Sequence, residues 1–228
     1  GERRAMPIRH TPLVNGHYYH IFNRGVERRP IHLSQTDYQE ALASLMYYRH
    51  SQLSLRYSFF KESNLAARQQ IIADLERENA HLVTIISYCL MPNHFHLLLR
   101  QEVDGGISTF IRRWTNSYTR YFNIRHQRVG ALFQGQFKSV LIESDEQLLH
   151  VSRYHHLNPV VSAIVHEKDL AKYPWSSLPD YLKGRSENCD LSVVLDQFTS
   201  PEEYRRFVFD QIDYAKQLDV IKHLTLED

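Results

Sequence analysis

Short apolar runs of strand length alternate with longer stretches of helical period along the chain. Gly16 to Gly25 is rich in β-forming residues and closes on a glycine, which predicts a first strand. From about Thr36 to about His50, Leu42, Leu45 and Met46 fall on one face and Asp37 lies near the start, which predicts a helix. Residues 51–80 are less regular. Leu53 to Phe60 suits an extended or helical insert, and Asn64 to Asn79 has the pattern of a charged amphipathic helix. His81 to Leu90, with Val83, Ile85 and Ile86, and His94 to Arg100 read as a hairpin turning at Pro92-Asn93. Asp104-Gly105-Gly106 breaks it, and Ser108 to Arg125 has the period of a long helix. Leu132 to Glu143 follows as a hairpin or bent strand. Ser144 and Gln147 then form an S-x-x-Q capping box that starts a helix near 145, and Pro159 predicts its end at about Asn158. Ser200 as N-cap and Pro201 at the first helical position start a last helix, running to about Leu218. The order suggests an α+β fold, an antiparallel sheet with helices on one face. We expect one domain over residues 1–182, with Trp175 anchoring its end, and a C-terminal helical extension over residues 183–228.

Charge changes this picture. The net charge is only +1, but residues 1–186 carry +7 and the segment from Glu187 onward carries −6. No acidic residue occurs from Gly105 to Ile142. That window holds Arg112, Arg113, Arg120, Arg125, Arg128 and Lys138, interleaved with Trp114, Tyr118, Tyr121, Phe122, Phe133 and Phe137. Cations for phosphates and rings for bases suit single-stranded nucleic acid. An amphipathic helix and hairpin with their rings in the core would give the same pattern. Arg24, Arg28 and Arg29 lie in an early loop that can meet phosphate. No apolar run approaches the ~20 residues of a membrane span, so no membrane partner is expected. Met6 reads as the natural start, with Gly1 to Ala5 preceding it, and no signal peptide is visible. The two cysteines, Cys89 and Cys189, make no disulfide framework, which fits a reducing cytoplasm.

The candidate chemistry sits in two places. In Met91-Pro92-Asn93-His94-Phe95-His96, the two histidines stand two apart on a strand and so share a face, with Phe95 turned to the other. Two imidazoles suit a divalent metal and leave positions open. In Tyr154-His155-His156-Leu157-Asn158-Pro159-Val160, Tyr154 and Asn158 are four apart, on one helical face. A phenol and an amide oxygen on that face can both reach an ion held by the histidines. Packed or capping roles are the alternative for each of these residues. Tyr118 is a rival nucleophile, but the fourth residue after it is Phe122, which cannot ligate.

Together the two motifs resemble the HUH single-tyrosine transposases, and within them the REP-associated tyrosine transposases. Gly130-Ala131-Leu132-Phe133-Gln134-Gly135-Gln136-Phe137-Lys138-Ser139 is similar to a further segment of that family, with Gln136 where an Arg is usual and one phosphate contact weakened accordingly. The resemblance spans about Gly16 to about Leu182. It implies a ferredoxin-like HUH palm and metal-dependent cleavage and transfer of single-stranded DNA bearing palindromic hairpins. It implies Tyr154 as nucleophile, forming a 5′-phosphotyrosine, and His94, His96 and Asn158 as ligands of Mg²⁺ or Mn²⁺. It also implies a bacterial, cytoplasmic protein working as a monomer. Two other readings compete: a non-catalytic DNA-binding regulator descended from a transposase, and an unrelated metal hydrolase. The first would have no need of all four site residues. The second would need a further acidic or histidine ligand and no acid-free basic stretch.

Overall fold

The computed structural model describes residues 12–216; the start assigned to Met6 and the end expected for the last helix, at about Leu218, lie outside them. Four antiparallel strands form one sheet: β1 (Tyr18–Arg24), β2 (Val83–Leu90), β3 (His94–Gln101) and β4 (Lys138–Leu141), in the order β2-β3-β1-β4. The hairpin β2–β3 forms as its spacing predicts. Of the 132–143 stretch, only four residues are strand, preceded by an isolated bridge from Phe133 to Gly25.

Helices α1 (Gln35–Tyr48), α2 (Tyr57–Glu62) and α3 (Leu65–Glu78) lie between β1 and β2, and α4 (Gly106–Arg125) joins β3 to β4. Ser34 and Asn64 cap α1 and α3 through their side chains. The main helical layer is α4 packed with α1. Phe95 meets Trp114 of α4 edge-on at 4.7 Å, and the Trp114 indole N–H donates to the Ala41 carbonyl of α1. Trp114, Tyr118 and Phe122 are each 1% exposed, and Phe133 is buried beside them. These rings therefore belong to the core and not to a base-stacking surface. The reason is period: at spacings of four they share the inward stripe of α4.

The opposite face of the sheet carries α5 (Asp145–Val161). Ser144 Oγ accepts from Gln147 N at 3.1 Å, as the capping box predicts. The end of α5 differs from the expectation. The helix continues through Pro159 to Val161, and Asn158, Pro159 and Val160 are buried. Proline removes its own N–H bond and its ring crowds the carbonyl one turn back, although its fixed φ suits the helix. Burial of this last turn, with Ile164 and Val165 N–H groups closing onto the Pro159 carbonyl, offsets that loss.

Then come α6 (Glu167–Leu170), α7 (Leu178–Lys183), α8 (Ser192–Leu195) and α9 (Pro201–Phe209). The segment Trp175–Ser177 lies along the outer edge of β2: Leu90 N–H donates to Trp175 O and Ser177 N–H to Tyr88 O. It covers an edge that would otherwise expose unpaired backbone. Trp175 stacks on Tyr38 of α1 at 4.9 Å. Tyr204, Val208 and Ile212 of the acidic C-terminal segment are buried in the same core as the sheet.

Candidate nucleic-acid cleavage site

Strand register assembles the site. On β3, Phe95 is fully buried toward α4, while His94 and His96 face α5. Across the β1–β3 ladder Arg24 is paired with His94 and Phe22 with His96, and Lys138 of β4 is paired with Phe22. His20, two residues before Phe22, therefore shares the histidine face. The turn before His94 is braced by the 25–32 segment. Gly25 N–H donates to Asn93 O at 2.8 Å, Ile31 N–H to Pro92 O at 2.7 Å, and a His32 ring nitrogen bonds Met91 O at 2.8 Å. Gly25 is required there, because a Cβ would collide with the Arg29 carbonyl.

Tyr154 projects from α5 over this face. Its ring meets His96 edge-on at 5.3 Å and His20 at 6.1 Å, and it is 41% exposed. Tyr118, the rival, is 1% exposed, and its hydroxyl donates to Ile31 O at 2.5 Å on the far side of the sheet. Burial drives its phenol well above the ordinary range. Asn158 sits one turn after Tyr154, 5% exposed, with no hydrogen-bond partner for Nδ2. The fold thus leaves this buried amide nitrogen unused.

The imidazoles are held neutral. Burial lowers His20 and His94 to about 4, with the Arg24 cation adding to the effect at His94, and lowers His96 and His155 well below their usual range. His94 Nδ1 bonds Asn93 Oδ1 at 2.6 Å, and His96 Nδ1 bonds His20 Nε2 at 2.9 Å. Each ring of the pair is thus engaged at Nδ1, so Nε2 remains for a ligand. Neutral imidazoles oriented through the second nitrogen are what a metal site needs. The sequence reading missed His20. Ring nitrogens of His20, His96 and His155 lie within 4.8 Å of one another, a grouping able to hold a metal ion.

The basic candidates divide by layer. Arg24 and Lys138 border the histidine face. Arg28 is exposed in the loop after β1. Arg24 bonds Gln134 and Arg128 bonds Asn123, tying down the loop between α4 and β4. Arg112, Arg113, Arg120 and Arg125 belong to α4, on the other side of the sheet. Arg113 donates to Ser51 O, and Arg125 stands 3.5 Å from the buried Asp37.

Behind Tyr154, α5 is pinned on two sides. His155 Nδ1 bonds Ser87 Oγ of β2 at 2.8 Å. His156 bonds Ser177 Oγ through Nε2 and the Tyr204 hydroxyl through Nδ1, at 2.8 and 2.7 Å, and Tyr204 also meets Ser152 Oγ. Tyr204→Phe leaves His156 Nδ1 unpartnered in the core, while Ser152 Oγ keeps only its bond to the Leu149 carbonyl. We expect a loss of about 1–3 kcal/mol in urea unfolding; an unchanged midpoint would show that this link is slack.

The model of the family described as "Transposase IS200 like" matches residues 14–157. The chain belongs to the IS200-like transposase family. No curated protein matches it. Among solved structures it is similar to a REP-associated tyrosine transposase bound to a REP hairpin, at 17% identity and a TM-score of 0.55, over 82% of this chain and 93% of that one. That likeness bears on the fold of this IS200-like transposase: a mixed α/β unit around a four-stranded antiparallel sheet. Among the described residues no helix is long and apolar enough to cross a membrane.

Proposed function

We propose that this IS200-like transposase cuts and rejoins single-stranded DNA bearing REP-like palindromic hairpins, with Tyr154 as nucleophile. The observation that carries the reading is the 41% exposed Tyr154 ring set against His96 of the H-x-H pair. Both histidines are neutral and engaged at Nδ1, and Asn158 waits one turn away. His94 and His96, through Nε2, and Asn158, through its amide oxygen, would hold Mg²⁺ or Mn²⁺; the resemblance to the HUH family supplies this ligand set. When bound, the ion polarises the scissile phosphate and stabilises the developing charge.

The chain's own residues do the rest. Tyr154 Oη attacks phosphorus in line as its proton passes to solvent; the bond to the 3′ oxygen breaks, and that oxygen takes up a proton. A 5′-phosphotyrosine and a free 3′-OH result, and the bond energy kept in the ester lets a 3′-OH reverse the step. Arg24 and Lys138, bordering the face, bind backbone phosphates, and Arg28 and Arg128 extend that contact. The α4 arginines serve DNA that wraps beyond the site. Residues 1–182 form the nuclease unit, and the C-terminal segment braces α5 through Tyr204. A monomer suffices, because His94, His96, Tyr154 and Asn158 all come from one chain. A bacterial cytoplasm is the compartment that fits.

The test is Mn²⁺ binding by calorimetry, followed by cleavage of a labelled hairpin oligonucleotide. His94→Ala and Asn158→Ala should each weaken Mn²⁺ by at least about tenfold and slow cleavage in parallel. Cleavage that persists in EDTA would refute the metal role. Hairpin binding without any cleavage would favour the regulator.

A further inference from the structure

The imidazoles behind the H-x-H pair are arranged in a way that the strand-transfer reaction does not use. His155 is fully buried at the start of the last turns of α5, and its Nε2 has no hydrogen-bond partner. Its Nδ1 is taken by Ser87 Oγ. The ring lies 4.9 Å from that of His20 and 5.6 Å from that of His96. A buried, unpartnered ring nitrogen is costly, and here it belongs to a ring that faces two others.

We propose that His20, His96 and His155 form a second cation site, all nitrogen, for a borderline transition ion of the zinc class. Ring nitrogens of the three stand within 4.8 Å of one another, and His20 Nε2 and His96 Nδ1 are already 2.9 Å apart. A tetrahedral zinc ion with bonds of about 2.0–2.1 Å sets its ligands about 3.3 Å apart, so side-chain rotation closes the site. The donor set selects the ion. Three neutral imidazoles without a carboxylate suit zinc, and offer magnesium none of the oxygens it requires. His20 is only half-buried and gives the ion a way in, and water fills the fourth position.

The consequence is exclusion. A neutral imidazole has one lone pair. When His96 gives Nδ1 to this ion, its proton resides on Nε2, and His96 can no longer pair with His94. Zinc in the rear site therefore disables the front one. Zinc binding stands independently of the function proposed above; the inhibition rests on it.

The experiment titrates metal-free, full-length protein with Zn²⁺ by calorimetry and with Co²⁺ by visible absorption, without DNA. The wild type should take up one Zn²⁺, and Co²⁺ should give the intense absorption of a four-coordinate ion. His20→Gln and His155→Gln should weaken Zn²⁺ at least tenfold, while His94→Ala and Asn158→Ala leave it within about threefold. Near-ultraviolet circular dichroism of each variant separates lost ligation from lost fold, and Zn²⁺ should raise the wild-type melting temperature but not that of His155→Gln. Absence of binding in the wild type would overturn the proposal. So would Zn²⁺ binding abolished by His94→Ala and indifferent to His155→Gln, because the ion would then belong to the front pair. Zinc should also slow Mn²⁺-dependent hairpin cleavage, at a tenfold higher concentration in His155→Gln; equal sensitivity of the two proteins would overturn the exclusion.

Discussion

Tyr154→Phe is expected to abolish formation of the covalent protein–DNA complex and to slow hairpin cleavage by at least about 10³-fold. The change removes one oxygen from a ring that is 41% exposed, so stability should move by less than about 0.5 kcal/mol. Hairpin affinity should also hold, because phosphate contacts come from Arg24, Lys138 and their neighbours. The control is Tyr118→Phe. That hydroxyl is buried and donates to Ile31 O, so its loss leaves an unpaired carbonyl and destabilises by about 1–3 kcal/mol without removing the nucleophile. The two tyrosines should therefore separate cleanly: one variant folded and inactive, the other less stable and active. A quench-flow or gel time course with urea unfolding of the same proteins measures both. Loss of cleavage in Tyr118→Phe alone would move the nucleophile to α4.

Acid should unfold the metal-free protein early, between about pH 6.5 and 4. Burial lowers His20, His32 and His94 to about 4 and His156 to about 3. In the unfolded chain these rings bind a proton near pH 6.5. Between the two values the unfolded state holds more protons, so stability rises with pH and is lost as pH falls through that window. Each fully shifted ring can withdraw up to ~3 kcal/mol, and two of them consume much of the 5–15 kcal/mol typical of a domain. Far-ultraviolet circular dichroism in a fixed low urea concentration, followed against pH, should show a transition with an uptake of more than one proton. A midpoint unchanged from pH 7 to 4.5 would contradict the burial of these rings as neutral species.

The features legible in the sequence were those set by local spacing. Period two placed His94 and His96 on one face and Phe95 on the other, and Phe95 is indeed buried against Trp114. Period 3.6 placed Tyr154 and Asn158 one turn apart, and Ser144 capped α5 as its side chain allows. What spacing cannot give is the neighbour across a ladder or a layer. His20 entered the site through the β1–β3 register, 76 residues from its partner His96. His155 was bound to Ser87, 68 residues away, for the same kind of reason. The acid-free window suggested a nucleic-acid surface, but its rings Trp114, Tyr118 and Phe122 are the inward stripe of α4, and the arginines of that helix lie across the sheet from Tyr154. Composition reports that charge and aromatics coexist, not which layer receives them. At Pro159, a local rule was outweighed by packing: the buried last turn held the helix together where the isolated sequence predicts its end.

The most direct test of the central claim is covalent trapping. Protein and a single-stranded DNA bearing a palindromic hairpin and a 3′ flank, radiolabelled on the 3′ side of the scissile bond so that the label stays on the protein, would be incubated with Mn²⁺ or EDTA. After denaturing electrophoresis the slow band would be digested and its nucleotide-bearing peptide sequenced by mass spectrometry. The account predicts a band that needs Mn²⁺, with the adduct on Tyr154. An adduct on any other residue, or tight hairpin binding with no covalent band under any metal, would contradict it.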